Sequence, residues 1–466
     1  MKIEQIYTGC LAQGAYYIES EGEAVVIDPL REVQPYINKA QHSGSKIKYV
    51  FETHFHADFV SGHIDLARAT GATIVYGPGA QTSFPAHIAE DGDLFKVGKL
   101  TFRLLHTPGH TLESSCFLLK DETGKEIALF TGDTLFIGDV GRPDLAQEAA
   151  AGVTQEYLAG LLYHSLQNKI MPLMDDIIIY PAHGAGSACG KNMSKETTDT
   201  LGRQKETNYA LRAGITKEIF INEVTDGLKP PPAYFPRNVE MNSKGYESIS
   251  DVLVRGNQAL SVQEFENALT DNEVVLIDTR KPQNFAKGFI PGAINIGIDG
   301  SFAPWVGSLV PYKKQGILII ADEGREEEVV MRLARIGYDY CIGYLQGGFE
   351  TWKAAGKPVD SIQTVSASRL NELATNAPVK VIDARKETEF ARGHVMHALN
   401  LPLDDINEGY GLLDKDERYY VHCAAGYRSM IFISILKARG YNNLVDVDGG
   451  FSAIQNHCYD MVELFA

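Results

Sequence analysis

Thr53-His54-Phe55-His56-Ala57-Asp58-Phe59 follows the apolar run Ile47-Lys48-Tyr49-Val50-Phe51 and is the nucleus of a metal site. Histidine and aspartate side chains gathered at the end of a strand present nitrogen and oxygen donors to one point. Further ligand types stand just after other apolar runs: His110 after Leu104-Leu105, Asp133 after Leu129-Phe130 and His183 after Ile179-Tyr180. Strands ending at one sheet edge would bring these side chains together. A lone histidine is commonplace in a core, whereas this many ligand-type residues at strand ends indicate a site.

The chain has 466 residues, too many for one ordinary core. At about 100 to 200 residues per domain it holds two to four, and we read three. Hydrophobic residues at 44% and charged residues at 22% are ordinary for a globular protein. A formal charge of -17 repels phosphate backbones and anionic headgroups, which argues against nucleic acid or a membrane surface as partner. Met1-Lys2-Ile3-Glu4-Gln5-Ile6 lacks the apolar core of a signal peptide, and no run is long enough to span a bilayer, so a cytoplasmic location is expected. Cys10, Cys116, Cys189, Cys341, Cys423 and Cys458 are scattered, which fits free thiols better than a disulfide framework.

Five strands are expected over Ala24-Val25-Val26-Ile27-Asp28, residues 47–51, 100–105, 127–130 and 177–180. Pro230-Pro231-Pro232-Ala233-Tyr234-Phe235-Pro236 predicts an extended exit from a first domain spanning 1–245. Beyond it the chain repeats. Val274-Val275-Leu276-Ile277-Asp278-Thr279-Arg280 returns as Val379-Lys380-Val381-Ile382-Asp383-Ala384-Arg385, with Asp278 and Asp383 standing 105 residues apart, and Gly347-Gly348-Phe349 returns as Gly449-Gly450-Phe451. A period of that length is a whole small α/β domain. Residues 250–360 and 362–466 are therefore read as two copies of one module.

The first half of the chain resembles the metallo-β-lactamase superfamily and, within it, the persulfide dioxygenases. The resemblance rests on residues 53–58, Thr107-Pro108-Gly109-His110-Thr111, Phe130-Thr131-Gly132-Asp133-Thr134-Leu135-Phe136, Gly141-Arg142-Pro143-Asp144-Leu145 and Pro181-Ala182-His183-Gly184. It implies an αββα sandwich and one Fe(II) per chain held by His54, His110 and Asp133. Two imidazoles and a carboxylate on one face of a metal leave open positions for substrate and O₂. The T-H-x-H-x-D-H signature of the family's hydrolases ends in histidine where this chain has Phe59, which cannot coordinate a second metal. His56, Asp58 and His183 are then groups that orient ligands and hold water, with His56 as a ligand left open. The resemblance also makes Arg142 a clamp on a substrate carboxylate, with an ion pair to Asp144 as the alternative, and puts Thr111 at the substrate. Cys189 lies in a small-residue loop, Gly184-Ala185-Gly186-Ser187-Ala188-Cys189-Gly190-Lys191-Asn192, where Lys191 would favour its thiolate. In similar fusions such a cysteine can carry sulfane sulfur; an inert loop thiol is the alternative.

In the last repeat, Tyr419-Tyr420-Val421-His422-Cys423-Ala424-Ala425-Gly426-Tyr427-Arg428-Ser429 reads as strand, tight loop and helix start, a setting that stabilises a thiolate at Cys423. This module resembles rhodanese, through Asp383-Ala384-Arg385, Glu389-Phe390-Ala391-Arg392-Gly393-His394 and the six-residue loop from Cys423 to Arg428. Related phosphatases use a loop one residue longer. Asp383 and Arg385 are expected to form an ion pair. In the middle repeat, Ile320-Ala321-Asp322-Glu323-Gly324-Arg325-Glu326 aligned on its glycine puts Ala321 at the cysteine position, and its carboxylates would repel an anion. That module is read as inactive.

Together the chain resembles a persulfide dioxygenase fused to two rhodanese modules. The resemblance implies a thiol persulfide, O₂ and sulfite as small-molecule partners, thiosulfate as product, and a homo-oligomer. A glyoxalase II-like zinc thioesterase with rhodanese appendages is the alternative; it requires two zinc ions and no oxygen.

Overall fold

The structure is a computed structural model that describes residues 1–146, 153–270, 274–312 and 316–464. The chain divides into two compact units, Met1–Ile249 with Ala334–Gly337, and Ser250–Leu333 with Tyr338–Ala466. Both repeats thus fall in one unit, and the short segment Ala334–Gly337 of the middle repeat groups with the N-terminal unit. Residues 465 and 466, the end of the last module as read from the repeat, lie outside the described residues.

The N-terminal unit contains two six-stranded sheets among its described residues. One runs in chain order from Lys2–Thr8 through Gln13–Ser20, Glu23–Ile27, Lys46–Phe51 and Thr73–Tyr76 to His87–Ile88. The other orders Asp199–Thr200, Ile178–Pro181, Glu126–Gly132, Ser115–Lys120, Leu100–His106 and Leu94–Val97. Successive side chains on a strand point to opposite faces, and alternate residues enter different cores. Tyr16, Ile18, Val25, Ile27 and Phe51 meet Phe102, Leu104, Phe117 and Phe130 between the sheets. Their neighbours Tyr17, Ala24, Val26 and Val50 pack outward on Tyr36 and Leu66 of the helices Gln34–Ser43 and His63–Thr70. Leu105, Leu118 and Leu129 pack outward from the second sheet on Leu162 and Phe220 of the helices Gln155–Ser165 and Lys217–Thr225. The result is the expected αββα order. The rings of Phe51 and Phe117 stack across the central layer with centroids 4.3 Å apart.

All five strands expected from the apolar runs are present. The proline-rich segment behaves differently from its reading as an extended exit. Pro236 sits in the first turn of a helix, Phe235–Lys244, where its fixed φ suits the helix and its missing N–H has no intrahelical partner to lose. That helix returns to the N-terminal unit, and its Asn242 is fully buried.

The second unit holds two five-stranded sheets of identical order. In the middle repeat the order is Ala259–Leu260, Cys341–Leu345, Ile317–Ile320, Val275–Asp278, Ile294–Asn295; in the last it is Gln363–Val365, Leu444–Val447, Tyr419–His422, Lys380–Asp383, Leu399–Asn400. Every pairing in both sheets is parallel, as α/β crossovers require. The ion pairs repeat as well. Arg385 grips Asp383 through Nε (2.9 Å) and Nη2 (2.6 Å) and donates to Gly393 O, as Arg280 grips Asp278 and donates to Gly288 O. Each guanidinium also lies over a phenylalanine ring, Phe451 at 3.7 Å and Phe349 at 4.3 Å. Among the described residues no helix is long and apolar enough to cross a membrane.

Asp446, on the Leu444–Val447 strand, is buried, and its Oδ1 accepts from Ser429 Oγ at 2.8 Å. Burial pushes its carboxyl up to about 7, with Asp448 adding to the rise and the Ser429 hydrogen bond opposing it. The folded chain then keeps a proton that the unfolded chain releases near pH 4, so this group's contribution is full below pH 4 and is lost as pH rises through 7. Asp446→Asn should therefore flatten the pH dependence of thermal stability between pH 5 and 8, by about 2 to 3 kcal/mol for a rise of this size. Melting curves of parent and variant at both pH values test this; a constant offset between them would reject it.

Candidate metal centre and sulfur loop

Four strands of the N-terminal unit end where the ligand-type residues begin. Lys46–Phe51 leads to His54, His56 and Asp58, Leu100–His106 to His110, Glu126–Gly132 to Asp133, and Ile178–Pro181 to His183. Glycines allow the close approach. A Cβ at Gly132, whose φ is +50°, would lie 2.5 Å from Thr53 Oγ1; one at Gly141 would lie 2.0 Å from Asp133 O and 2.9 Å from His110 Nδ1.

His54, His110 and Asp133 form one buried group. Asp133 Oδ2 lies 3.3 Å from His110 Nε2 and 3.8 Å from His54 Nε2. None of these nitrogens, and neither oxygen of Asp133, has a hydrogen-bond partner. The other nitrogen of each ring is committed. Thr53 Oγ1 donates to Asp28 Oδ2 at 2.9 Å, so toward His54 Nδ1, 3.0 Å away, it can only accept. His110 Nδ1 lies 2.8 Å from the Arg142 carbonyl, which also only accepts. Both rings therefore present an Nδ1–H to these acceptors and turn Nε2 toward Asp133. Burial, reinforced by His56, His110 and His183, holds His54 well below the usual histidine range. Orphaned buried donor atoms at ligand spacing fit a metal ion, since two atoms each about 2.1 Å from one ion stand about 3 to 3.5 Å apart.

His56, Asp58 and His183 form an adjacent group, and Asp133, His183 and Cys189 another. His183 Nε2 lies 3.4 Å from Asp58 Oδ2 and 3.7 Å from Asp133 Oδ1, and its Nδ1 lies 3.3 Å from Ala12 O. Burial opposes charge on both partners, but Asp58 and Asp133 hold His183 well above its usual range, and His183 holds Asp58 below its own. His56 turns Nε2 to within 3.1 Å of Asp28 Oδ1, and its ring lies 4.3 Å from that of Phe59. Phe59 is fully buried, so an apolar ring fills the place of a nitrogen donor.

At Arg142 and Cys189 the geometry matches the alternatives that the sequence left open, an ion pair with Asp144 and an inert loop thiol. Arg142 is buried and engaged: Nε and Nη2 hold both oxygens of Asp144 at 2.6 and 2.7 Å, and Nη1 and Nη2 donate to the carbonyls of Ala188 and Lys229. Its fork closes the 141–144 loop, with no donor pair left to clamp a substrate carboxylate. Cys189 is buried, and Lys191 turns away from it to donate to the carbonyls of Glu223 and Asp226. Burial, with Asp58 and Asp133 nearby, pushes the Cys189 thiol up to about 12, opposite to the thiolate expected. Thr111 is buried with its hydroxyl 2.7 Å from Ser114 Oγ. All six cysteines are free, and all but Cys10 are buried.

Sequence reasoning missed two residues that shape the site. Asp28 accepts from Thr53 N as well as Thr53 Oγ1, orienting His54 through the threonine and standing beside His56. Its own strand, ending Ile27-Asp28, was visible, but its contact lies 25 residues away. Asn242 donates to His56 O and Phe59 O and accepts from Ser61 N, fastening the ligand loop from the distant helix. No local signal marks it.

In the second unit, Cys423 follows the Tyr419–His422 strand and precedes the helix Tyr427–Ala438. Gly426, at φ +101°, donates its N–H to Cys423 Sγ at 3.1 Å. Arg428 forms a two-pronged pair with Glu389 at 2.6 and 2.8 Å. The strand registers match Ile320 to His422, since each pairs with the repeat's aspartate, Asp278 or Asp383. Ala321 therefore occupies the position of Cys423.

The Thr53 relay makes a direct prediction. Thr53→Val leaves packing nearly unchanged but frees His54 Nδ1 and one oxygen of Asp28; metal affinity should fall about 10- to 100-fold, as for the loss of other outer-shell partners. Competition with a chromophoric chelator measures it, and unchanged affinity would remove Thr53 from the site.

Comparison with known proteins agrees with this geometry. The profile of the Metallo-beta-lactamase superfamily matches residues 8–183, and that of the Rhodanese-like domain matches 261–355 and 366–457. The chain is 36% identical over 165 residues to the mitochondrial persulfide dioxygenase ETHE1 of Homo sapiens, and 36% identical over 172 residues to a hydroxyacylglutathione hydrolase of Tolumonas auensis. These matches span 34% and 36% of this chain and 59% and 60% of the relatives' own length. A solved metallo-beta-lactamase from Staphylococcus aureus is similar with a TM-score of 0.66 at 33% identity, covering 74% of this chain and 99% of that one. The chain belongs to the metallo-beta-lactamase superfamily, and two rhodanese-like domains follow its metallo-beta-lactamase domain.

Proposed function

We propose that this chain oxidises a low-molecular-weight thiol persulfide to sulfite and thiol in its metallo-beta-lactamase domain and makes thiosulfate at Cys423, a combination suited to sulfide detoxification. The observation that carries the reading is the orphaned His54, His110 and Asp133 group, the donor set of nonheme ferrous oxygenases. His54 and His110 would hold one Fe(II) through Nε2, and Asp133 through a carboxylate oxygen. Ferrous iron bound there supplies the activation of O₂ that the chain's side chains lack.

The chain's own residues orient and enclose. Thr53 and the Arg142 carbonyl fix the two imidazoles, Phe59 keeps the flank of His56 dry, and Asp58 with His183 holds water. The balance is R–S–S⁻ + O₂ + H₂O giving R–SH + SO₃²⁻ + H⁺: the S–S bond breaks, the terminal sulfur is oxidised to sulfite and O₂ is reduced. At Cys423 the sulfur attacks the outer sulfur of a second persulfide, whose S–S bond breaks to release R–SH; sulfite then takes that sulfur from the Cys423 persulfide, giving S₂O₃²⁻ and restoring Cys423. Gly426 N–H and the 423–428 loop stabilise sulfur anions there. Covalent tethering keeps the two activities at high effective concentration.

A zinc thioesterase is the second reading, favoured by the equal identity of the hydroxyacylglutathione hydrolase. It calls for a second metal held in part by a donor at position 59, where this chain has Phe59.

Protein purified without oxygen should contain one iron per chain and consume O₂ when persulfide is added, and His54→Ala should abolish uptake while sparing sulfur transfer by Cys423. Two zinc ions per chain with no O₂ demand would overturn the oxidative reading. Cys423→Ser should keep O₂ uptake and shift product from thiosulfate to sulfite; an unchanged thiosulfate yield would reject the coupling.

A further inference from the structure

Tyr427 is the fifth residue of the Cys423 loop, and its side chain leaves its own module. Its hydroxyl donates to Gly297 O of the middle repeat at 2.8 Å. Its ring lies where Gly300 has no side chain: a Cβ there would stand 2.3 Å from Tyr427 Cζ and 2.5 Å from Cε2, and one at Gly297 would stand 3.3 Å from Cε2. Neither glycine has a positive φ, so space and not backbone conformation requires them.

The repeat supplies an internal control. Ile296 N donates to Asp278 O as Leu401 N donates to Asp383 O, which aligns Gly297 with Pro402 and Gly300 with Asp405. The two repeats thus share a backbone turn, but only the inactive one carries glycines on it. Conversely, Tyr427 aligns with Arg325, which stays in its own module on Asp299 and Glu328. A second bond joins the same surfaces, from Asn295 N to Ser434 Oγ at 3.0 Å, both residues buried.

We infer that the inactive middle module positions the sulfur loop of the last one, with the Gly297 to Gly300 turn clamping Tyr427 and making Tyr427 a positioning residue for Cys423. Tyr427 stands between Gly426, whose N–H meets Cys423 Sγ, and Arg428, which pairs with Glu389. Fixing its ring fixes the backbone on both sides, and hence the direction of the N–H that meets the sulfur. The loss of a cysteine at Ala321 leaves this role intact, because the turn lies elsewhere in the module.

The role in turnover rests on the sulfur transfer proposed for Cys423; the clamp itself can be read without it. In the full chain, Gly300→Ala should slow alkylation of Cys423 by iodoacetamide at fixed pH about 5- to 10-fold, the effect of roughly one misplaced hydrogen bond, followed by mass spectrometry of the Cys423 peptide. Thiosulfate-to-cyanide sulfur transfer should lose kcat with KM little changed. Tyr427→Phe, which keeps the ring, should retain most of the rate, and Tyr427→Ala should not. The decisive measurement is the cycle: in a Tyr427→Ala background, Gly300→Ala should have no further effect. A harmless Gly300→Ala in the parent, or an equal loss in both backgrounds, overturns the clamp. A parent whose sulfur transfer is unaffected by Cys423→Ser overturns the proposed function instead, and the alkylation cycle still decides the clamp.

Discussion

The N-terminal site depends on one constraint: acidic oxygens and imidazole nitrogens are sealed from water with nothing among the described protein atoms to satisfy them. Asp133 offers two orphaned oxygens, His54 and His110 one nitrogen each. Such groups are expensive to bury unpaired, and the strands that deliver them bury them completely. A cation held by both imidazoles and one carboxylate oxygen would compensate that burial. The orienting bonds then acquire their meaning, because Asp28, Thr53 and the Arg142 carbonyl engage only the far sides of the rings and leave the near sides free.

Much of this was legible in the sequence because it is periodic or local. Alternating apolar residues announced the strands, and each ligand stands within a few residues of a strand end, so a shared sheet edge followed from topology. The two-copy architecture was legible because both copies retain the same aspartate and arginine two residues apart at the end of the same strand. What was hidden depends on distant chain. Asn242 reaches the ligand loop from 186 residues beyond His56, and nothing near it in sequence betrays the contact. Arg142 was ambiguous between a substrate clamp and an ion pair; its burial with Asp144 depends on how the chain folds over it. For Cys189, a small-residue loop and a neighbouring lysine suggested a thiolate, with an inert thiol as the alternative. Tertiary packing buried the sulfur and gave the lysine two carbonyls.

The second unit shows how much of a module survives without its nucleophile. Both copies keep the parallel sheet order, the buried Asp–Arg pair and the aromatic ring beneath the guanidinium. These features hold a scaffold, since breaking a buried ion pair by removing one partner costs about 3 to 5 kcal/mol. The loop differs because its requirements are local: one sulfur, one inward N–H and no carboxylate among residues 423–428 themselves. A scaffold and its chemistry can therefore part company within a single chain.

The seat of Tyr427 bears on how the duplicated copies can diverge. In the middle copy the loop that follows its central strand accommodates acidic residues, Asp322 and Glu323. At the Gly297–Gly300 turn the constraint is volume: a single added methyl meets the neighbour's aromatic ring. Exchanging the two copies would bring Arg325 in place of Tyr427 against a turn that carries Pro402 and Asp405 in place of the glycines. With the ring on one copy and the space for it on the other, the two halves are no longer interchangeable parts.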